Sequence, residues 1–157
     1  MSVPLAYFIS FRTYGTWLHG DLRGSVDREN NRFDMPFVEP NEAKQRSERD
    51  RMSQPPVELT RDQRDVVAET IVEVCTHRRW LLHVQNVRTN HVHVIVSAVD
   101  VSPEKIMNDF KSYATRRLRE AGLIGSDAKV WSRHGSTPHL YDESALLSAI
   151  HYVSNLQ

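Results

Sequence analysis

The chain has 157 residues, a formal net charge of zero from 20 basic and 20 acidic side chains, and a single cysteine, Cys75. That length predicts one domain, 1–157, able to bury a core without staples, and one cysteine excludes a disulfide framework or a Cys-based zinc site, as expected in a reducing compartment. The sequence holds no apolar run of about 18 residues and no charged-then-apolar leader, so a cytoplasmic protein without a membrane partner is expected. Zero net charge argues against a general coat for polyanions, although 16 of the 20 cations are Arg, whose rigid fork suits phosphate.

Leu5 to Thr13 (LAYFISFRT) is apolar, aromatic and β-branched and predicts a first strand. A polar stretch at about 14–58 follows, carrying Gly15, Gly20, Gly24, Pro36, Pro40, Pro55 and Pro56. It has too few large apolar residues for a core of its own and reads as an insertion. Thr60 with Gln63 forms a capping box for a helix running to about Arg79, with Val67, Ile71 and Val74 at helical spacing. Leu81 to Arg88 and His91 to Val99 predict two strands joined at Thr89-Asn90. Ser102-Pro103-Glu104 opens a second helix that Gly122 stops; Ile106, Met107, Phe110, Ala114 and Leu118 face the core, while Lys111, Thr115, Arg116 and Arg119 are expected outward. A last strand is expected near 129–133 or 139–141, and Asp142 caps a terminal helix through Leu146, Ala149, Ile150 and Val153. The order β–(insert)–α–β–β–α–β–α predicts an α+β, ferredoxin-like (RRM-like) antiparallel sheet with helices packed on it.

The sharpest chemical signal is Asn90-His91-Val92-His93-Val94-Ile95-Val96. Alternation along a strand puts His91 and His93 on one face, about 7 Å apart, and the three valines on the other. Two imidazoles backed by a buried apolar row are a half-site for a divalent metal. Two surface histidines on a half-exposed strand would show the same spacing.

Taken together, FRTYGTWLHGDLRG, NHVHVIV, PEKIMNDFKSYATRRLREAGL and VWSRHGSTPHLYDESALLSAIHYVSNLQ, in this order, resemble the single-tyrosine HUH transposases, nearest the insertion-sequence-200-like and REP-associated tyrosine transposases. The resemblance implies a ferredoxin-like fold and a homodimer, one subunit offering its tyrosine helix to the other's histidines. It also implies a Mg2+ or Mn2+ site held by His91 and His93, and a single-stranded, hairpin-bearing DNA substrate. It requires a tyrosine nucleophile, for which the chain offers Tyr152 in the terminal helix and, as an alternative, Tyr113 in DFKSYATRRL.

The third ligand implied by the resemblance is an Asn or Gln one turn after the tyrosine. The residue four after Tyr152 is Leu156, so Gln157 is the first candidate and the pair His151 and Asn155, four apart on one face, competes with it. Lys111, Arg116 and Arg119, with Trp131, Arg133 and His134, supply cations and an aromatic platform for DNA; Trp17, His19 and Arg23 in the insertion could act likewise. The chemistry expected is strand cleavage and rejoining through a 5′-phosphotyrosine. The competing reading is a catalytically lapsed single-stranded nucleic-acid-binding module on the same fold. A plain RRM lacks support, because NHVHVIV has no aromatic RNP strand.

Overall fold

The computed structural model describes residues 3–16 and 54–156. The elements are β1 (Ala6–Thr13), α1 (Arg61–Arg78), β2 (Leu81–Val87), β3 (His91–Ser97), α2 (Pro103–Glu120), β4 (Trp131–Ser136), β5 (His139–Leu140) and α3 (Glu143–Ser154). The strands form one antiparallel sheet in the order β2-β3-β1-β4, with β5 continuing the β4 edge alongside the start of β1. Both regions expected to hold the last strand are therefore strands. Most of the expected insertion, with Trp17, His19 and Arg23, lies outside the described residues.

Local chemistry accounts for the helix ends. Thr60 accepts from the Gln63 backbone N–H while the Gln63 side chain accepts from the Thr60 N–H, the reciprocal arrangement expected from the sequence. Ser102 caps α2 with Pro103 at its first position, and Gly122 at φ 72° carries the chain away from its end. Asp142 accepts from the Ala145 N–H at 2.8 Å and starts α3.

Strand alternation divides the core in two. Ile9 and Phe11 of β1 and Val92, Val94 and Val96 of β3 face α1 and α2, where Val67, Ile71, Ile106, Phe110 and Leu118 are fully buried. Each such side chain contributes about 1.5–3 kcal/mol when removed from water. Ala6, Phe8 and Ile95 face the other way and are covered by Ala149 and Val153 of α3. His91 and His93 lie on this second face, beside the terminal helix and away from the main core.

Lys111 departs from its expected outward position: it is buried, and its ammonium donates to the carbonyls of Ser132 at 3.1 Å and His134 at 3.3 Å. The reason is a bulge. Phe11 pairs with Gly135 and Thr13 with Trp131, so Arg12 of β1 stands opposite the three residues 132–134 of β4. A bulge leaves ladder groups unmatched, and the Lys111 side chain, reaching from α2 to β4 beside the Phe11 ring, brings its head to two of them. Burial pushes its pKa down to about 8.

Candidate active site

The site is assembled on the α3 face of the sheet from adjacent strands. Register aligns Asn86 of β2, His93 of β3 and Ser10 of β1 in one transverse row, with His91 and Arg12 paired in the next. The two imidazoles converge, with ring centroids 4.9 Å apart at 71°. Each is held through Nδ1: His93 shares a 2.6 Å hydrogen bond with the Ser10 hydroxyl, and His91 a 2.7 Å bond with Oδ1 of Asn90. A carbonyl oxygen can only accept, so His91 Nδ1 carries the proton and Nε2 the lone pair; His93 takes the same tautomer when Ser10 accepts.

Phe8 closes one side of the site, edge-on to His93 at 5.6 Å. Burial holds the His93 imidazole far below its usual range, at about 3, and the neighbouring His91, Arg12 and Arg88 push the same way. His93 is thus neutral across the physiological range, the form a metal requires. Two neutral imidazoles with oriented rings fit a divalent cation. Among the described residues no group of three or more His, Cys, Asp or Glu could hold a metal.

Tyr152, in the last turn of α3, lies beside this pair. Its ring centroid is 6.2 Å from that of His93 in the same chain and 5.9 Å from that of Phe8. Tyr152 is 46% exposed, so a substrate can reach it. Tyr113 is elsewhere: it packs against the main core and lines an open groove between α1 and α2 with Thr70 and His77, across the sheet from both histidines. The alternative ligands His151 and Asn155 engage each other, Asn155 Nδ2 lying 3.1 Å from His151 Nδ1 and donating to the His151 carbonyl at 2.8 Å. Gln157 lies outside the described residues.

The residues expected to contact DNA gather around the β4 edge. Lys111, Arg119, Trp131 and Arg133 line an open groove of about 500 Å³ between α2 and β4. Trp131 is anchored there by its indole N–H on the Lys111 carbonyl at 3.1 Å and by an edge contact with Phe11. Arg116 is exposed and pairs with Glu120, Arg119 donates to the Ala128 carbonyl, and Arg133 and His134 are exposed on the bulge.

Sequence reasoning missed Ser10, Arg12, Asn86 and Arg88. Ser10 and Arg12 have the same i, i+2 spacing as the two histidines, but only pairing register shows that they share a face.

A family model described as "Transposase IS200 like" matches residues 56–144. Among solved structures, a REP-associated tyrosine transposase bound to a REP hairpin is similar at 11% identity and TM-score 0.54, covering 98% of this chain and 67% of that one. A proposed transposase from Deinococcus radiodurans R1 is similar at 13% identity and TM-score 0.55, covering 99% and 92%. At these identities the two likenesses show a shared fold. No curated protein matches the chain. No helix among the described residues is long and apolar enough to cross a membrane.

Proposed function

This chain belongs to the IS200-like transposases, and from that premise we propose that it cuts and rejoins single-stranded DNA, with Tyr152 as nucleophile and His91 and His93 as metal ligands. The observation that carries the reading is the approach of Tyr152 to His93, 6.2 Å between ring centroids on one sheet face. A phosphate can bridge such a pair, in reach of both the phenol and the imidazoles.

Tyr152 Oη, giving up its proton, forms a bond to phosphorus as the P–O3′ bond breaks. The products are a 5′-phosphotyrosine and a free 3′-hydroxyl, and the retained ester lets a 3′-hydroxyl rejoin DNA later. His91 and His93, with Gln157 as the proposed third ligand, would hold Mg2+ or Mn2+, which would polarise the phosphate and steady charge on the departing oxygen. Ser10 and Asn90 orient the two rings, and Arg12 and Arg88 add positive potential for a polyanion. The groove at the β4 edge, with Arg119, Trp131 and Arg133, supports a path for the strand, flanked by Arg116 and His134 and floored by Lys111. Hairpin-bearing DNA is the substrate class by analogy with the hairpin-bound relative. The active form is read as a cytoplasmic homodimer in which each chain completes its own site.

Covalent capture tests the reading. Wild type with a hairpin-bearing single-stranded oligonucleotide and Mn2+ gives a denaturant-stable adduct, mapped by mass spectrometry to the peptide containing Tyr152. Tyr152→Phe and His91→Ala/His93→Ala give none, and Tyr113→Phe keeps it. An adduct that survives Tyr152→Phe refutes the assignment. The second reading, a binding module that no longer cuts, draws on the mutual engagement of His151 and Asn155; DNA binding without any wild-type adduct would establish it.

A further inference from the structure

The last four carbonyls of a helix have no partner within it, and the last turn is where a helix frays. In α3 that turn carries Tyr152, and the chain supplies no glycine there to close it with a left-handed cap. Asn155 donates to the His151 carbonyl, and two side chains of β2 and its exit come to the carbonyls that follow. Asn86 Nδ2 donates to the Val153 carbonyl at 3.0 Å and reaches the Leu156 carbonyl at 3.5 Å, and Arg88 Nη1 donates to the Leu156 carbonyl at 3.4 Å. Asn86 is half-buried and is the cross-strand partner of His93, so one residue adjoins both the histidine row and the tyrosine turn. Arg88 also sets a positive charge against the negative end of the α3 dipole.

The apolar anchoring of α3 reaches this turn through Val153 alone. Ala149 and Val153 are fully buried against Phe8 and Ile95, with Leu146 and Ile150 beside them, and they hold one stripe of the helix. A stripe restrains translation more than the tilt and fraying of the end, and Tyr152 stands off that stripe, 46% exposed. The direction in which its phenol points depends on its ring contacts with Phe8 and His93 and on the carbonyl contacts that hold its own turn.

We infer that Asn86 and Arg88 are positioning residues that clamp the C-terminal turn of α3 and thereby keep Tyr152 aimed at the His91–His93 pair. The inference rests on the proposed role of Tyr152, but the clamp can be measured without it. Catalytic groups lose rate steeply when misplaced by about an ångström. Loss of a hydrogen bond of ordinary strength corresponds to about a tenfold shift in the clamped population.

The experiment compares wild type, Asn86→Leu, Asn86→Gln and Arg88→Met, each as the full chain. Hydrogen exchange followed by mass spectrometry reads the terminal peptide against the first turns of α3, with Mn2+ and DNA affinities and single-turnover adduct formation measured in parallel. Asn86→Leu should exchange about tenfold faster at the terminal turn, with the peptide around Ala145–Ala149 unchanged. Mn2+ affinity should stay within about twofold while the adduct forms about tenfold more slowly at saturating metal and DNA. Asn86→Gln, which keeps the amide donors, should recover part of both effects. Arg88→Met should show the same faster exchange more weakly, with DNA affinity lowered by the lost charge, and its exchange serves if Asn86→Leu does not fold. Unchanged exchange in both variants overturns the clamp. Faster exchange with a wild-type adduct rate overturns its positioning role. A wild type that forms no adduct would sink the tyrosine chemistry and the positioning role with it, while the exchange comparison still decides whether the clamp exists.

Discussion

Gly135 ties the stability of the sheet to the geometry of the histidines. It lies on β4 opposite Phe11, and a Cβ added there would meet the Ser10 carbonyl oxygen, the Met107 sulfur at 2.6 Å and the Phe11 Cβ at 3.2 Å. The methionine can swing aside, being long and unbranched. The Ser10 carbonyl cannot, because it belongs to a strand paired on both sides. Gly135→Ala must therefore separate β1 from β4 or push β1 toward β3. Overpacking of this kind costs about 1–3 kcal/mol, and the lower chain entropy of alanine offsets about 0.4–1 kcal/mol of it. A net loss of about 1–2 kcal/mol should lower the melting temperature by about 2–8 °C in a chain of this size. The displaced residue carries the hydroxyl that holds His93 at 2.6 Å, so Mn2+ affinity should fall together with stability. Urea unfolding with an unchanged m-value measures the first effect, and calorimetric Mn2+ titration the second. Met107→Ala should rescue little in the double mutant, since the backbone contact remains. A Gly135→Ala protein as stable as wild type, or one rescued fully by Met107→Ala, would refute the reasoning.

Ser10→Ala removes the partner of His93 Nδ1 without touching Nε2, and if His93 is a ligand it should weaken Mn2+ binding about tenfold while leaving the fold intact; calorimetry checks it. Lys111 gives a pH signature. With its folded pKa near 8 and an unfolded value of about 10.4, only the unfolded chain keeps the proton between those values, so stability relative to Lys111→Met should rise across that window, by about 3 kcal/mol at most, and be flat below pH 8. The Cys75 thiol, pushed up to about 11 by burial, slopes the other way but is common to both proteins and cancels in the difference. Mixing His91→Ala/His93→Ala subunits with Tyr152→Phe subunits should restore no cleavage, because each Tyr152 adjoins the histidines of its own chain; restored cleavage would show that tyrosine helices are exchanged between chains.

Sequence was most informative where a local rule decides structure. The capping box at Thr60, the Ser102-Pro103 start and the Asp142 cap depend on contacts within one turn, and all three helices begin where those residues predict. The shared face of His91 and His93 follows from strand alternation, which needs no partner. What could not be read depends on pairing. Neither Ser10 nor Asn86 can be assigned to the histidine row without the register of β1 and β2 on β3. Lys111 shows the same limit. Helical spacing placed it outward, but the three-for-one bulge opposite Arg12 supplies two carbonyls that no single-helix pattern foretells.

The two faces of the sheet also explain why the candidate chemistry sits where it does. The face toward α1 and α2 is filled by valines, isoleucines and Phe110, and a polar group there would need a partner for every buried atom. Among the described residues the opposite face is covered by α3, where Ala6, Phe8 and Ile95 meet Ala149 and Val153. Beyond that apolar row come the Asn86–His93–Ser10 row and then His91 with Arg12, each step bringing more polar groups. His93 lies at the boundary: close enough to Phe8 for burial to keep it neutral, yet close enough to the rim for Tyr152 to remain half-exposed. Two residues further along β3 the same-face position is Ile95, sealed under α3 and beyond a substrate's reach. Two residues the other way, His91 shares its row with Arg12, where a phosphate can enter. The gradient from apolar row to cationic rim runs along β3 itself, so the strand that carries both imidazoles sets their protonation and their access together.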